Sequence, residues 1–491
     1  MHLRTGHSAL ISPNMAGPER TPLETPESLS DVHAEVFPSD PGFPELEIAV
    51  NPKMMLDVFR RHLKPASGKS YQIQDCIPVR FRCHPSGSRS ILQYALRLIE
   101  SGNGRHCNLW VSCTRHHELG RTEQLWIELK TDEAWKEIPE TLLTFEPLSF
   151  ISELQMLVEV FPCDRRLPNL PFVLAGPSPE LKQRLLACFG SEGWETEEQR
   201  IEPLRYRTEM GAVVRYTLRA RNRITSQTQT KRFYVKVYRS DRGERTWNLL
   251  NDLCANTAAT RNEFTVVTPI DYSIEHQFLV LEEAPGRSLE DFLLGRDDAV
   301  AAVRRVARAV AAFNQSDIRL VPYRLPEKQI NYLKKTASLL HWVSPDSGGA
   351  LNRIVQQVGA SLGDVPYLPI QWDLKPDHIF LDDKRVTFID LDTVALGDPV
   401  RDPAHLIAHV TRRIGMKAMP LKLARTAARA FLEEYFARVP AQWRERLDVQ
   451  YAIALVETAA GIFKRQEAGW PDEVAGAIFE AEHVLSEGFG D

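Results

Sequence analysis

QWDLKPDHIFLDDKRVTFIDLDTVALGDP, residues 371–399, is the stretch on which the fold turns. It sets two carboxylates, Asp373 and Asp390, seventeen residues apart at either end of a predicted β-hairpin. Asp373 heads a loop with Lys375 two residues on, and Asp390 follows the apolar strand Val386–Ile389. Asp382-Asp383-Lys384 supplies the turn that pairs Val386–Ile389 with Ile379–Leu381. That arrangement can hold a hydroxyl, a metal ion and a transferring phosphate together, so phosphoryl transfer is the expected chemistry.

Upstream of this stretch the chain repeats itself. Pro78–Leu98, PVRFRCHPSGSRSILQYALRL, is similar to Pro203–Ala220, PLRYRTEMGAVVRYTLRA. Pro147–Val158, PLSFISELQMLV, is similar to Pro269–Val280, PIDYSIEHQFLV, at an offset of 122. Each copy opens on a predicted helix, Pro52–Leu63 or Pro179–Phe189, in which Asn51 or Ser178 is the N-cap and proline takes the first helical position. Within the second copy, Val213, Tyr216 and Leu218 sit among Arg215, Thr217 and Arg219, and Phe233–Tyr238 follows the polar loop Asn222–Lys231. That alternation predicts an antiparallel hairpin. From about residue 288 the texture becomes helical, first with Val300, Val303, Val306, Ala307 and Val310 on one face after Asp297 and Asp298. Further helices are predicted at Gln329–Val343, Pro403–Arg413, Leu421–Val439 and Asp448–Glu467, with Asp402 read as the N-cap before Pro403.

A chain of 491 residues is too long for one core. Its 43% apolar and 25% charged residues suit a folded protein, and a net charge of -5 opposes a nucleic-acid partner. Seven scattered cysteines without a CxxC pair fit a reducing compartment. The start of the chain shows no basic region followed by an apolar core. No uncharged apolar run approaches the roughly 20 residues that span a bilayer. The expectation is a cytoplasmic protein with no membrane partner. Residues 1–45, rich in Pro, Ser and Glu, read as a disordered tail. The expected layout is that tail, a small-lobe-like domain over 46–175, an active small lobe over 176–287 and a helical lobe over 288–491.

An antiparallel-sheet lobe followed by a helical lobe with an Asp loop and an Asp-ended hairpin resembles the protein-kinase-like fold. The closer resemblance is to the aminoglycoside phosphotransferase superfamily of small-molecule kinases, over about 200–488. Its catalytic loop has an Asp, a Pro three residues later and an Asn five residues after the Asp; here these places hold Asp373, Pro376 and His378. Its metal-binding Asp is matched by Asp390 after Ile389, and its Gly-Asp-Pro by Gly397-Asp398-Pro399. The resemblance therefore implies an α+β, two-lobe protein-kinase-like fold, preceded here by a second, degenerate small-lobe-like α+β domain. It also implies an ATP-dependent transfer of the γ-phosphate to a small-molecule hydroxyl.

By position, the resemblance gives Asp373 the task of orienting and deprotonating the acceptor. Lys375 would neutralise charge on the migrating group, Asp390 would ligate Mg2+, and Lys236 would meet the α- and β-phosphates with Glu244 as its partner. Leu279–Gly286 matches the hinge, where backbone groups about Glu282 and Ala284 would meet adenine. Three features depart from the family. His378 offers nitrogen, which Mg2+ accepts poorly, where the Asn offers oxygen, so either one metal suffices, or His378 ligates a softer ion such as Mn2+, or it only orders the loop. The loop opens Gln371-Trp372, and Gly211 is the only glycine in Arg205–Arg219, so there is no Gly-rich phosphate loop. These departures keep a pseudokinase, a nucleotide-binding or scaffold module, as the alternative. In the first copy Ser112 stands where Lys236 stands in the second, so that copy is expected to brace the active lobe, to form a homodimer contact or to shape the cleft entrance.

Overall fold

The computed structural model describes residues 37–489 apart from 133–134, 136–137, 191, 257–262, 296–297, 319–321 and 364. Asp297 and most of the expected tail, 1–36, lie outside the described residues. Residues 37–45, assigned to the tail from sequence, are packed: Phe43 is fully buried and Arg115 lies 4.8 Å from its ring centroid. The chain divides into two compact units, one of residues 1–244 with 270–283 and one of 245–269 with 284–491.

The first unit holds two five-stranded sheets. The first contains β1 (Tyr71–Arg82), β2 (Arg89–Glu100), β3 (His106–His116), β4 (Leu148–Ile151) and β5 (Met156–Val160), in the order β1-β2-β3-β5-β4. The second contains β6 (Trp194–Arg207), β7 (Gly211–Asn222) and β8 (Thr228–Tyr238). After β9 (Thr265–Val266), a strand of the other unit, it is completed by β10 (Pro269–Ser273) and β11 (Phe278–Glu282). Its order, β6-β7-β8-β11-β10, repeats that of the first sheet strand for strand. A helix precedes each sheet, Pro52–His62 and Pro179–Ala187, and another follows the third strand, Arg121–Lys130 and Arg242–Asn256. The expected caps form: Asn51 accepts from the N–H groups of Lys53 and Met54, and Ser178 from that of Leu181.

The register makes the duplication residue-specific. Both first strands carry an irregularity after their proline, between Pro78 and Arg80 and between Pro203 and Arg205. Counting outward from those bulges, Pro78 faces Tyr94 and Tyr94 faces Val111, as Pro203 faces Val214 and Val214 faces Val235. Ser112 therefore occupies the strand position of Lys236. One strand further, Val111 faces Val160 and Val235 faces Val280. Val160, not the sequence-matched Val158, is thus the counterpart of Val280. On β7 the core-facing set is Ala212, Val214, Tyr216, Leu218 and Ala220, so Val213 lies on the opposite face from Tyr216 and Leu218.

The second unit is mainly helical. Helix Ala299–Asn314 buries Val303, Val306, Ala307 and Val310, each valine stabilising the core by roughly 1.5–3 kcal/mol. Helix Leu447–Arg465 is buried almost all round, through Tyr451, Ile453, Leu455, Ala459 and Phe463 among others, as suits a central helix. Two small sheets complete the unit. One has the order β12-β14-β15-β9, with β12 at Arg287–Ser288, β14 at Ile379–Leu381 and β15 at Val386–Phe388; the other pairs β13 (Leu368–Ile370) with β16 (Ala395–Gly397). The predicted hairpin is present, with Ile379 opposite Phe388 and Leu381 opposite Val386. The α+β character, antiparallel-sheet lobe and helical lobe match the expected fold. Among the described residues no helix is long and apolar enough to cross a membrane.

Candidate active site

Asp373 and Asp390 lie at the open ends of the β14–β15 hairpin in the second unit, and three devices hold them. First, the loop that enters the site is hung from a buried carboxylate. Asp402, fully buried, accepts from the backbone N–H groups of Gln371 (2.8 Å) and Trp372 (2.9 Å) and from Asn314 Nδ2 (3.0 Å). This corrects its expected role as an N-cap. The helix begins at Arg401, one residue before Asp402, and Asp398 receives the Val400 N–H. Burial pushes the Asp402 carboxyl up to about 6, against the opposing pull of its three donors.

Second, Trp372 is in the left-handed region, φ 71°, which a bulky side chain adopts only when its surroundings force it. Its ring sits between two guanidinium groups, Arg401 at 4.4 Å and Arg324 at 4.9 Å from the centroid. Arg401 is buried, pairs with Glu457 and donates to the Trp372 carbonyl. Third, Asp390 is itself left-handed, φ 57°, two residues after β15, where the extended strand ends and a short helical turn over Leu391–Thr393 begins.

The Asp373 carboxylate is held on both oxygens. Lys375 Nζ donates to Oδ2 at 2.6 Å and His405 Nε2 to Oδ1 at 3.2 Å. Burial by itself would raise the Asp373 carboxyl, but the His405 hydrogen bond and the Lys375 ammonium prevail and hold it well below the usual carboxylate range. His405 is buried, and burial lowers its own basicity, so the donor is a neutral imidazole with Nε2 protonated. His409 packs against it with ring centroids 4.9 Å apart and planes tilted by 58°, and is held still further below the ordinary histidine range by burial and by His405.

His378 is almost fully buried, with its Nδ1 3.0 Å from the Asp373 carbonyl. A carbonyl can only accept, so Nδ1 carries the proton and, in the neutral ring, Nε2 presents a lone pair. That Nε2 has no hydrogen-bond partner and lies 3.5 Å from Asp390 Oδ2. A carboxylate oxygen and an imidazole nitrogen converging at this separation fit a divalent cation, and the nitrogen favours a borderline ion over Mg2+. Among the described residues no group of three or more His, Cys, Asp or Glu side chains gathers to hold a metal. A cation here would therefore complete its shell with water or substrate oxygens. Asp392, two residues beyond Asp390, accepts from Thr246 Oγ1 at 3.1 Å.

The other expected residues lie in or beside the first unit. Lys236 is on β8, paired with Leu279 on β11 and Val213 on β7, and its Nζ lies 5.7 Å from the Tyr238 ring centroid. Glu244 is in the first turn of Arg242–Asn256 and is exposed. Glu282 ends β11, and the chain passes from the first unit to the second between Glu283 and Ala284. Asp398 of the Gly-Asp-Pro block accepts from Arg446 and Gln450 at 3.0 Å, which ties the site's floor to the central helix. His405 escaped the sequence reading. The available signal was His405 and His409 four apart in one short helix after Asp402, polar groups on a face that is otherwise apolar.

Residues 218–447 match the model of the phosphotransferase enzyme family. No curated protein matches the sequence. Among solved structures, the ADP-bound aminoglycoside phosphotransferase APH(2'')-Ib is 12% identical, with 63% of this chain and 99% of its own covered and a TM-score of 0.40. An ethanolamine kinase from Plasmodium vivax is 11% identical, with 65% and 95% covered and a TM-score of 0.38. An amicoumacin kinase complexed with AMP-PNP and Ca2+ is 14% identical, with 62% and 96% covered and a TM-score of 0.39. The match to the phosphotransferase enzyme family over residues 218–447 agrees with the resemblance carried by the motif.

Proposed function

We propose that this protein is an ATP-dependent phosphotransferase that moves the γ-phosphate onto the hydroxyl of a small molecule. The observation that carries the proposal is the Asp373 carboxylate, fixed by Lys375 and His405 and one loop away from the converging His378 and Asp390 side chains. Asp373 aligns the acceptor hydroxyl and takes its proton as that oxygen bonds to the γ-phosphorus and the bond to the ADP oxygen breaks. A carboxylate held so far below the usual range is a weak base. It suits a loose transition state in which the hydroxyl loses its proton late. Lys375 offsets charge on the transferring group, Lys236 receives the α- and β-phosphates, and backbone groups about Glu282 and Ala284 receive adenine. A divalent cation bound at Asp390, with or without His378, would neutralise phosphate charge. Glu244, exposed at a helix start, either partners Lys236 or favours the helix dipole.

The pseudokinase alternative draws on one specific observation, the close Lys375–Asp373 pair, which occupies an oxygen the acceptor would otherwise use. ATP consumption with a panel of alcohols, in Mg2+ and in Mn2+, separates the two. Acceptor-dependent turnover lost in Asp373→Ala is the result expected of the enzyme. Nucleotide binding without turnover toward any acceptor supports the pseudokinase, and turnover equal in Asp373→Ala removes the role given to that residue.

A further inference from the structure

The turn joining β6 to β7, Thr208-Glu209-Met210-Gly211, is the segment that would cover the nucleotide phosphates in the proposed function, yet it carries a single glycine. It does not stand alone. Glu209, at φ 60° and 0% exposed, pairs with Arg82, Arg89 and Arg165, with Arg89 bidentate at 2.8 and 2.7 Å. Its backbone N–H donates to Asp164 Oδ2 at 2.7 Å. The Thr208 carbonyl accepts from Arg82 at 2.9 Å, and the Thr208 hydroxyl bonds that of Ser112. The carbonyl of Tyr206 accepts from buried Gln93 at 2.9 Å, and its hydroxyl donates to Asp164 at 2.9 Å. Arg239 reaches the Glu209 carbonyl from the end of β8.

Apart from Arg239, the side chains named here come from the first sheet or from the segment that follows β5, and from particular places there. Arg82 and Arg89 flank the β1–β2 turn, the counterpart of the β6–β7 turn itself. Ser112 is the counterpart of Lys236. Asp164 and Arg165 follow β5 as the hinge segment follows β11. Those are the positions that would surround a nucleotide's phosphates in a working copy. A carboxylate with no water is costly to bury unless it is paired and hydrogen-bonded, and here three guanidinium groups supply that pairing.

We infer that the first sheet's phosphate pocket is permanently filled by the β6–β7 turn of the second, with the Glu209 carboxylate in the anion's place, and that Glu209 is the positioning residue through which the first copy holds the phosphate-covering turn in shape. This rests on the proposed function above. The degenerate copy thereby supplies by contact the turn geometry that a glycine-rich sequence supplies by backbone freedom.

Glu209→Gln, and Arg89→Met as a second variant at a partly exposed side chain, test this in the full chain. Three readouts are needed: direct nucleotide titration, KM for ATP against KM for the acceptor, and hydrogen exchange of the 207–211 amides without nucleotide. The expected result is nucleotide affinity weakened and KM for ATP raised about 10- to 100-fold, KM for the acceptor unchanged and faster exchange at 207–211. A wild type that binds nucleotide while both variants bind it equally well overturns the inference and leaves the proposed function standing. A wild type that binds no nucleotide overturns both. A lowered melting temperature with both KM values unchanged reduces Glu209 to a structural tie and also overturns the inference.

Discussion

The two sheets of the first unit share strand order, flanking helices and the bulge after proline, yet they differ at one decisive strand position. The second has Lys236 there, half-exposed; the first has Ser112, fully buried against Thr208. Opposite that position the first sheet has Glu159, buried and bound to Arg165, where the second has Leu279. One copy thus closed its pocket with an internal ion network while the other kept a cation at its surface. The same backbone serves both ends because strand pairing depends on alternation and register, which both sequences satisfy, and not on which side chain fills the pocket.

The sharpest way to break this comparison is to disable the half that only the second copy possesses. Asp373→Ala should lower kcat about 10²- to 10⁴-fold, measured as acceptor-dependent ADP release, with the fold intact by circular dichroism. Within the sheets, Lys236→Met should cost roughly 10²-fold in kcat/KM for ATP. Ser112→Ala at the matching position should leave kcat/KM nearly unchanged and lower stability by about 1 kcal/mol in urea denaturation.

A pH profile gives the next effect. Asp373 is held too low to titrate in the working range, so an acid limb in kcat must come from elsewhere. Asp402, pushed up to about 6, loses part of its grip on the Gln371 and Trp372 amides when protonated. Activity should therefore fall as pH drops through about 6, and Asp402→Asn should flatten that limb at a uniformly lower rate. For stability the sign is opposite. The folded chain keeps this proton up to about 6, whereas the unfolded chain releases it near 3.8. The group therefore favours the fold most below 3.8, and that contribution is lost as pH rises through 6. The smallest effect is expected from His378→Asn, which should shift metal preference toward Mg2+ by several-fold, read as the ratio of Mn2+- to Mg2+-supported rates.

Much of this was legible in the sequence because the deciding signals are local. Asn51 and Ser178 cap the helices that Pro52 and Pro179 open, and the hairpin of 379–388 forms as its alternation and turn dictate. Asp373, Asp390 and His378 fall close together because the hairpin leaves them no other choice. What escaped depends on contacts between distant residues. Asp402 looked like a cap because Asp-Pro is a local helix-start signal, but a carboxylate thirty residues from the loop amides is captured by them instead. His405 gave no local sign that its partner would be Asp373. Glu209 binds arginines more than forty residues away, and nothing near it in sequence announces a triple pairing. The slip that puts Val160 opposite Val111 was hidden because Val158 and Val160 are both apolar and point the same way along β5.

The most direct test of the central claim, one live copy and one closed copy, is the stoichiometry of nucleotide binding to the full chain by calorimetry with Mn2+ or Mg2+ present. The account predicts one nucleotide per chain, lost or severely weakened in Lys236→Met and retained in Ser112→Ala. Two nucleotides per chain, or one that persists undiminished in Lys236→Met, would contradict it.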